Sequence, residues 1–213
     1  MPGPERRDFD KDAPTWDQEP KRLKLARDVG SAILQVVGDP SGMDVLDFGC
    51  GTGLLTLQLQ PRVRSITGAD SSRGMLDVLK GKVEGQGLSN MRLLHLDHES
   101  REALQGPYHL IVSNMTLHHI PDFRTLLALF FKILAPGGRL CLSDLDPEDG
   151  RFHESDVGVF HQGFDREALA GEFARAGFED VRHLTAAEMI KTDATGQMSR
   201  FSIFLITGQK EMK

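Results

Sequence analysis

Hydrophobic and polar positions change their spacing along the chain, from a helical period to short apolar runs. Between Trp16 and Val37, apolar side chains recur at near-helical spacing with lysines and arginines between them. This pattern predicts an amphipathic helix that ends at Gly38-Asp39-Pro40. Further on, short apolar runs predict strands at 45–48, 65–70, 91–97, 107–114, 139–144, 181–190 and 200–207.

The stretches between these strands carry helical spacing and stop signals. They predict helices at 54–59, 71–83, 123–134 and 165–176, so strands and helices alternate along most of the chain. Asp165 is predicted to be the N-cap of the last helix, and Pro136-Gly137-Gly138 predicts a turn before the fifth strand. Only a polar loop joins the last two strands, which predicts an antiparallel hairpin that finishes a parallel sheet.

The length of 213 residues makes one compact domain the default expectation. Residues 1–14 are rich in proline and charge, and we predict a mobile N-terminal tail there. Residues 15–213 then form a single domain.

The stretch from Met43 to Gly53 joins an apolar strand to a glycine-rich loop. The strand carries one acid, Asp47, and glycines follow at every second position, at 49, 51 and 53. Such glycines let the backbone turn sharply and approach a ligand closely. Strand, glycine loop and helix in this order are typical of a nucleotide site.

Two details indicate which nucleotide the loop takes. The dinucleotide fingerprint needs its third glycine where Leu54 stands, but the glycine comes one residue early, at Gly53. A pyrophosphate beside Asp47 would also be repelled by roughly 4 kcal/mol at about 4 Å and an effective dielectric near 20. The loop therefore favours a cationic adenosine compound, and S-adenosylmethionine, with its sulfonium and ammonium groups, fits.

Acids also end the second and third predicted strands. Asp70 lies 70 − 53 = 17 positions after Gly53, close to the roughly 20-residue interval at which an acid binds ribose hydroxyls in nucleotide folds. A carboxylate can accept hydrogen bonds from both hydroxyls of a diol. The alternatives are a loop-capping acid at Asp70 and a helix N-cap at Asp97.

Together these motifs resemble class I S-adenosylmethionine-dependent methyltransferases over most of residues 43–144. Ile120-Pro121-Asp122 and Pro136-Gly137-Gly138 are similar to the methyltransferase type 11/12 group, which contains ubiquinone/menaquinone C-methyltransferases. The resemblance implies an α/β fold with a Rossmann-like doubly wound sheet. This sheet has seven strands, which are mostly parallel and end in the C-terminal antiparallel hairpin. The fold also includes the N-terminal amphipathic helix.

The same resemblance implies a set of cofactor contacts for S-adenosylmethionine and its product S-adenosylhomocysteine. Asp47 receives the ammonium, Asp70 the ribose, and Asp97 the adenine amino group. One departure from the family is Ser71, where an apolar residue usually follows the ribose acid. The implied cofactor residues are Asp47, Gly49, Cys50, Gly51, Gly53, Asp70, Ser71, Met75, Asp97, His98, Asn114 and Met115.

The acceptor side is less clearly marked. After the fourth strand, Asn114-Met115-Thr116-Leu117 lacks the prolines and the aromatic residue of nucleic-acid amino-methylating relatives, which favours a small-molecule acceptor. Trp16 is either a core anchor or part of a flap over the ligand. Arg22 is a candidate partner for the cofactor carboxylate. His119 and His161 are candidate general bases, with positioning or packing as the alternative role.

The bulk numbers limit the remaining classes. A net charge of −6 weakly disfavours nucleic acid as a partner. No apolar run approaches the roughly 20 residues of a membrane span, and the two cysteines have no metal-ligand spacing, so we expect a reduced, cytoplasmic setting. Adjacent histidines at 118 and 119 point apart on a regular element, and we predict no metal site.

The predicted function is methyl transfer from S-adenosylmethionine to a small molecule by in-line displacement. One alternative is a cofactor-binding regulatory module without catalysis. A second is an aminopropyltransferase-like enzyme, which would need further acids near the fourth strand, where Asn114 stands. The sequence leaves open the acceptor, its reacting atom and the oligomeric state.

Overall fold

The structure is a computed structural model that describes residues 7–96, 104–153, 155–192 and 197–212. Its helices are α1 Phe9–Asp12, α2 Pro20–Val37, α3 Thr56–Leu59, α4 Arg73–Gln86, α5 Phe123–Ile133 and α6 Arg166–Arg175, with 3-10 turns at Ala13–Gln18, Gln60–Arg62 and Leu117–His119. Its strands are β1 Asp44–Phe48, β2 Ser65–Asp70, β3 Met91–His95, β4 Tyr108–Asn114, β5 Leu134–Leu145, β6 Glu179–Thr192 and β7 Met198–Gln209.

The seven strands form one sheet in the order β3-β2-β1-β4-β5-β7-β6. The first five strands pair in parallel, whereas β7 runs antiparallel to both β5 and β6. The predicted doubly wound sheet with a C-terminal antiparallel hairpin is confirmed. Because β1 has β2 on one side and β4 on the other, the strand order reverses at β1, and ligands bind at such a switch point.

Both faces of the sheet are buried, which explains the nearly continuous apolar strands. Along β7, Phe204 and Ile206 join one hydrophobic cluster, with α5 and α6, whereas Ile203 and Leu205 join a second cluster, with α2 and α3. Side chains alternate between the two faces of a strand, so one apolar run fills both cores.

The fifth strand differs from its prediction. We expected Pro136-Gly137-Gly138 to be a turn before a strand at 139–144, but β5 already begins at Leu134. Leu134 pairs with Tyr108, and the register then shifts before Leu110 pairs with Arg139. Gly137, with φ +74°, donates its amide to the carbonyl of Lys210, so the glycines form an irregular stretch of strand.

The predicted tail, residues 1–14, includes α1 and the start of the following 3-10 turn. Residues 1–6 lie outside the described residues. The carboxylate of Asp10 accepts hydrogen bonds from the Ser72 hydroxyl and the Gly74 amide, at the start of α4. We call residues 7–18 the N-terminal segment. Its mobility and the domain boundary at residue 15 stay predictions.

Side-chain caps fix the loops at the carboxyl edge of the sheet. Ser72, Asp122 and Asp165 accept backbone amides at the first turns of α4, α5 and α6. The Asp165 cap is the predicted one. Within the described residues, no helix is both long and apolar enough to cross a membrane.

Candidate cofactor and acceptor site

A cavity of about 590 Å³ lies at the carboxyl ends of β1, β2 and β4. The cavity is therefore at the switch point of the sheet. The predicted site residues on its wall are Asp47, Gly49, Cys50, Gly51, Asp70, Ser71, Met75, Asn114, Met115, Trp16, Arg22 and His119. Asp97 and His98 lie outside the described residues.

Gly51 leaves room at the centre of the glycine loop. Its φ is +54°, and the one described atom within 4 Å of a Cβ built on it is the Met75 sulfur, at 4.0 Å. Gly53 serves packing instead, because a Cβ there would come within 2.3 Å of Leu79, and Gly53 is not among the described residues that line the cavity. A ligand can thus approach the backbone at Gly51.

Asp47 is a buried carboxyl group on the cavity wall, with 1% of its surface exposed. Burial raises its pKa to about 7, the Thr56 hydroxyl opposes this rise by donating a hydrogen bond at 2.5 Å, and the charge of Asp70 adds to it. No described lysine or arginine forms an ion pair with Asp47. A ligand that brings a positive charge would favour the ionised form.

Asp70 ties the glycine loop to the start of α4. Its Oδ2 accepts the Gly51 amide at 2.7 Å, and its Oδ1 accepts the Ser72 amide at 2.8 Å. Burial raises the pKa of Asp70, although these hydrogen bonds oppose the rise. The N-cap of α4 is Ser72, so Asp70 stabilises the loop and remains available to a diol through its other lone pairs.

The chain after β4 is held against β5. Ser143 donates its hydroxyl to the Asn114 side-chain oxygen at 2.8 Å, and its carbonyl accepts the Met115 amide at 2.9 Å. Met115 has a φ of 54°, a region that non-glycine residues rarely occupy. Such backbone strain concentrates at ligand sites, and Met115 lies on the cavity wall.

The N-terminal segment covers the cavity and is fixed to the glycine loop. Asp17 accepts the Thr52 hydroxyl at 2.6 Å and forms an ion pair with Lys82 at 2.5 Å. Trp16 is half-buried on the cavity wall, with the Arg22 guanidinium 3.8 Å from its ring centroid. Trp16 thus lies at the cavity and is not fully buried in the core, and its role as part of a flap stays a prediction.

The two predicted bases have different surroundings. His119 lines the cavity and donates Nδ1–H to the Gly158 carbonyl at 2.6 Å, and burial lowers its pKa to about 4. His161 donates from Nε2 to the Ile120 carbonyl at 3.0 Å and packs against Phe123 and Phe164. Within the described chain His161 is not part of the cavity wall.

Several residues on the cavity wall were not predicted from the sequence as cofactor or acceptor contacts. They are Phe9, whose ring lies edge-on to His119 at 5.1 Å, together with His118 and His153. Behind His118 lies Asp144, which ends β5 as Asp47 and Asp70 end β1 and β2 at the same edge. No group of three or more described His, Cys, Asp or Glu side chains is placed to hold a metal ion.

A doubly wound sheet, a glycine loop with a buried acid before it and a second acid on the next strand define the class of S-adenosylmethionine-dependent methyltransferases. The chain belongs to the methyltransferase domain family, whose model matches residues 21–183. It therefore contains a methyltransferase domain of the S-adenosylmethionine-dependent class.

Relatives and a solved structure agree with this assignment. An uncharacterised methyltransferase of Schizosaccharomyces pombe is 31% identical over 83% of this chain and 67% of its own length. The demethylmenaquinone methyltransferase of Lactococcus lactis is 30% identical over 52% of this chain and 46% of its own. The chain thus spans about half of that enzyme's length.

For the fold, a SAM-dependent methyltransferase from Aquifex aeolicus superposes with a TM-score of 0.69 at 19% identity. The superposition covers 94% of this chain and 97% of that one.

Proposed function

We propose that the protein methylates a small-molecule acceptor by in-line displacement. The observation that carries this proposal is one cavity whose wall includes both the glycine loop with Asp47 and Asp70 and, at its other end, histidines and aromatic rings. Its volume of about 590 Å³ is within the range of small-molecule sites. The named substrate of the Lactococcus lactis relative supports the same substrate class.

The cofactor end would bind S-adenosylmethionine through charge and backbone. Asp47 would receive the ammonium, Asp70 the ribose hydroxyls, and the space over Gly51 would take the nucleoside. The buried carboxyls fit a cationic ligand because ionising them without one is unfavourable. Asp97 and His98 stay the predicted adenine contacts.

At the acceptor end, the N-terminal segment and the loop after β5 would exclude water. Phe9, Trp16, Phe152 and Phe160 provide apolar surface there. The bound cofactor supplies an electrophilic methyl group, so the protein mainly aligns the acceptor with it. Trp16 and Arg22 would form the cover over both ligands.

Equilibrium binding tests the cofactor assignment. Calorimetry should show S-adenosylmethionine and S-adenosylhomocysteine binding at micromolar affinity, whereas NAD at comparable affinity would contradict the assignment. Asp70→Ala should weaken S-adenosylhomocysteine by on the order of 1–3 kcal/mol, because charge-assisted hydrogen bonds are lost. The matched control is Asp77→Ala, an exposed acid of α4. Equal affinity in a folded Asp70→Ala protein would remove Asp70 from the site.

Transfer itself needs a separate measurement. The protein is incubated with methyl-labelled S-adenosylmethionine and a small-molecule extract, and labelled products are identified by mass spectrometry. A labelled product supports the enzyme. Cofactor binding without any labelled product favours the regulatory module instead.

A further inference from the structure

Three imidazole rings meet at the acceptor end of the cavity. His118 and His119 come from the 3-10 turn after β4, and His153 comes from the loop after β5. The ring centroids of His118 lie 4.1 Å from His119 and 4.8 Å from His153. The three rings therefore belong to one cluster with His118 at its centre.

A fully buried carboxylate holds the central ring. Asp144 accepts Nδ1–H of His118 at 2.7 Å and the His118 amide at 3.2 Å. Burial alone would raise the pKa of Asp144, but the charge of His118 and its hydrogen bonds lower the pKa overall. Because this carboxylate only accepts hydrogen bonds, a proton of His118 lies on Nδ1, so in the neutral ring the lone pair is on Nε2.

Two nitrogen atoms of the cluster have no partner. Nε2 of His118 and Nε2 of His153 are both buried, and neither has a hydrogen-bond partner in the described part of the chain. The His118 side chain is only 1% exposed. An unpaired buried polar atom costs about 1–3 kcal/mol, so such atoms need an explanation. Both rings lie on the wall of the cavity, where a bound acceptor could pair with them.

The other histidines near the cavity lack this arrangement. His119 is backed by a carbonyl rather than a carboxylate, and its pKa of about 4 makes it a weak base at neutral pH. Burial also lowers the pKa of His153, to about 3. Nε2 of His161 already donates to a carbonyl. Among the described histidines at the cavity, His118 alone combines a buried carboxylate partner with an unpaired ring nitrogen.

We propose that His118, positioned by Asp144, is the general base for a hydroxyl acceptor. The inference rests on the proposed methyl transfer and names its substrate class. A hydroxyl can donate its proton to Nε2 of His118 and accept a hydrogen bond from His153 in its neutral tautomer with the proton on Nε2. It therefore satisfies both unpaired atoms. A carboxylic acid is already ionised at neutral pH and needs no base, and a thioether or tertiary amine has no proton to give.

The proton and the electrons balance in this step. The acceptor oxygen forms a bond to the methyl carbon, the carbon–sulfur bond breaks, and its electron pair stays on sulfur as a neutral thioether. The hydroxyl proton moves to Nε2 of His118, and the resulting imidazolium is stabilised by Asp144. The carboxylate then acts as Asp residues do behind catalytic histidines, by fixing the ring and its charge.

The test compares variants that keep the shape of the site. His118→Asn retains a donor towards Asp144 but has no base, and His183→Asn, in β6 outside the cavity wall, is the matched control. In the labelled-extract assay we expect His118→Asn to lower kcat/KM for the acceptor by about 10²–10⁴-fold. Affinity for S-adenosylhomocysteine, measured by calorimetry, should stay within about twofold because His118 is assigned to the acceptor.

Asp144→Asn and the pH profile keep the proposal testable if His118→Asn does not fold. With S-adenosylmethionine saturating, wild-type kcat/KM should fall as the pH is lowered, because a protonated base cannot take the hydroxyl proton. Asp144→Asn should change the pH at which kcat/KM falls. It should also lower kcat more than it raises KM. The titratable groups that interact with His118 are Asp144, His119 and His153. Arg7 acts on both of the other histidines and Lys191 acts on His153, so these two charges can also influence the profile.

The outcomes separate the two proposals. A labelled product whose methyl group sits on oxygen, and which disappears in His118→Asn, supports the inference. Full activity of His118→Asn, a flat pH profile, or a methyl group on sulfur, nitrogen or carbon overturns the inference and leaves methyl transfer standing. Cofactor binding with no labelled product overturns both.

Discussion

At the scale of single residues, Asp47 is a buried acid whose charge state changes near neutral pH. It is buried, its hydroxyl partner is Thr56, and its pKa of about 7 lies well above that of an exposed aspartate. The free protein therefore holds a carboxyl group that is between its two charge states near neutral pH. A cationic ligand selects the ionised state.

The pH dependence of cofactor binding follows from this. Below pH 7 the free protein holds Asp47 protonated, whereas the ligand ammonium prefers the carboxylate. The affinity for S-adenosylhomocysteine should weaken by up to about tenfold for each pH unit below 7. Calorimetry in two buffers of different ionisation enthalpy measures both the affinity and the protons released. An affinity that is constant between about pH 5.5 and 7 would contradict this role.

The same carboxyl group should destabilise the cofactor-free protein at high pH. Because the folded pKa is raised, the destabilisation builds up as the pH rises from about 4, where an exposed aspartate ionises, and it is complete above about pH 7. Asp47→Asn should therefore increase the free energy of unfolding at about pH 8 by on the order of 2–4 kcal/mol, and the gain should shrink as the pH falls. Urea unfolding at several pH values measures this. If Asp47→Asn were less stable than wild type at high pH, another group would be stabilising the Asp47 carboxylate in the folded protein.

The histidine cluster shows where residue-level prediction ends. The neighbours His118 and His119 were expected to point apart, and the sequence indicated His119 and His161 as the candidate bases. What selects His118 is Asp144, which is 26 residues away and is brought close by the pairing of β4 with β5. The signal in the sequence was a fifth strand that also ends in an acid. The residue that Asp144 binds, His118, could be identified only from the register in which β4 pairs with β5.

At the scale of elements, the N-terminal segment is the part that pattern could not predict. A four-residue helix such as α1 has too few positions to show a period, and isolated helices of this length are unstable. Its position depends on distant partners, with Asp10 at the start of α4 and Asp17 at Thr52 and Lys82. The long helix α2 and the strands of the sheet, by contrast, carry their own periodicity and were predicted.

Two glycines of α4 test the contact between this helix and the N-terminal segment. A Cβ at Gly74 would lie 2.9 Å from the Asp10 Cα, so Gly74→Ala must displace the segment. Loss of its hydrogen bonds, about 0.5–1.5 kcal/mol, should speed S-adenosylhomocysteine dissociation by roughly 3–10-fold in stopped-flow experiments.

Gly81→Ala is the control on the same helix. Among the described residues, nothing lies within 4 Å of a Cβ at Gly81, so this variant should leave dissociation unchanged and stabilise the protein by about 0.5–1 kcal/mol through helix propensity. If both variants release the product at the wild-type rate, the segment does not retain the cofactor.

At the scale of the whole molecule, the sheet and its two hydrophobic clusters position the site. Phe48, the last residue of β1, packs edge-on against Phe130 of α5 at 5.1 Å and leads directly into the glycine loop. The core therefore supports the loop from beneath. This arrangement was predictable in outline, because strands that end in acids at one edge of a parallel sheet must meet there.

Two neighbouring phenylalanines of α5 allow a comparison of how much a fully buried side chain and a half-buried one contribute to the free energy of unfolding. Phe130 is fully buried, so Phe130→Ala should lower the free energy of unfolding by about 3–5 kcal/mol. Phe131 is half-buried beside Phe178, and Phe131→Ala should cost about 1–2 kcal/mol. Urea unfolding with equal m-values measures both. Equal losses would mean that the cluster around Phe130 collapses to fill the space.

The acceptor could not be predicted from the sequence, because the segments that line the acceptor end of the cavity have no regular hydrophobic periodicity. The wall at the acceptor end comes from the N-terminal segment and from the loop between β5 and α6, and their contacts are tertiary. Pro136-Gly137-Gly138 likewise read as a turn because the sequence does not show the pairing of Leu134 with Tyr108. Local signals therefore predicted the cofactor and the sheet, and long-range packing determines the rest.

The N-terminal segment touches both ends of the cavity. Asp17 binds the glycine loop at Thr52, and a few residues earlier Phe9 lies against His119 at the acceptor end. A segment that settles on a bound nucleoside thereby completes the wall for the second substrate. The kinetic mechanism should then be ordered, with the nucleoside entering first and leaving last. Product inhibition would show this order, because S-adenosylhomocysteine would compete with S-adenosylmethionine and not with the acceptor.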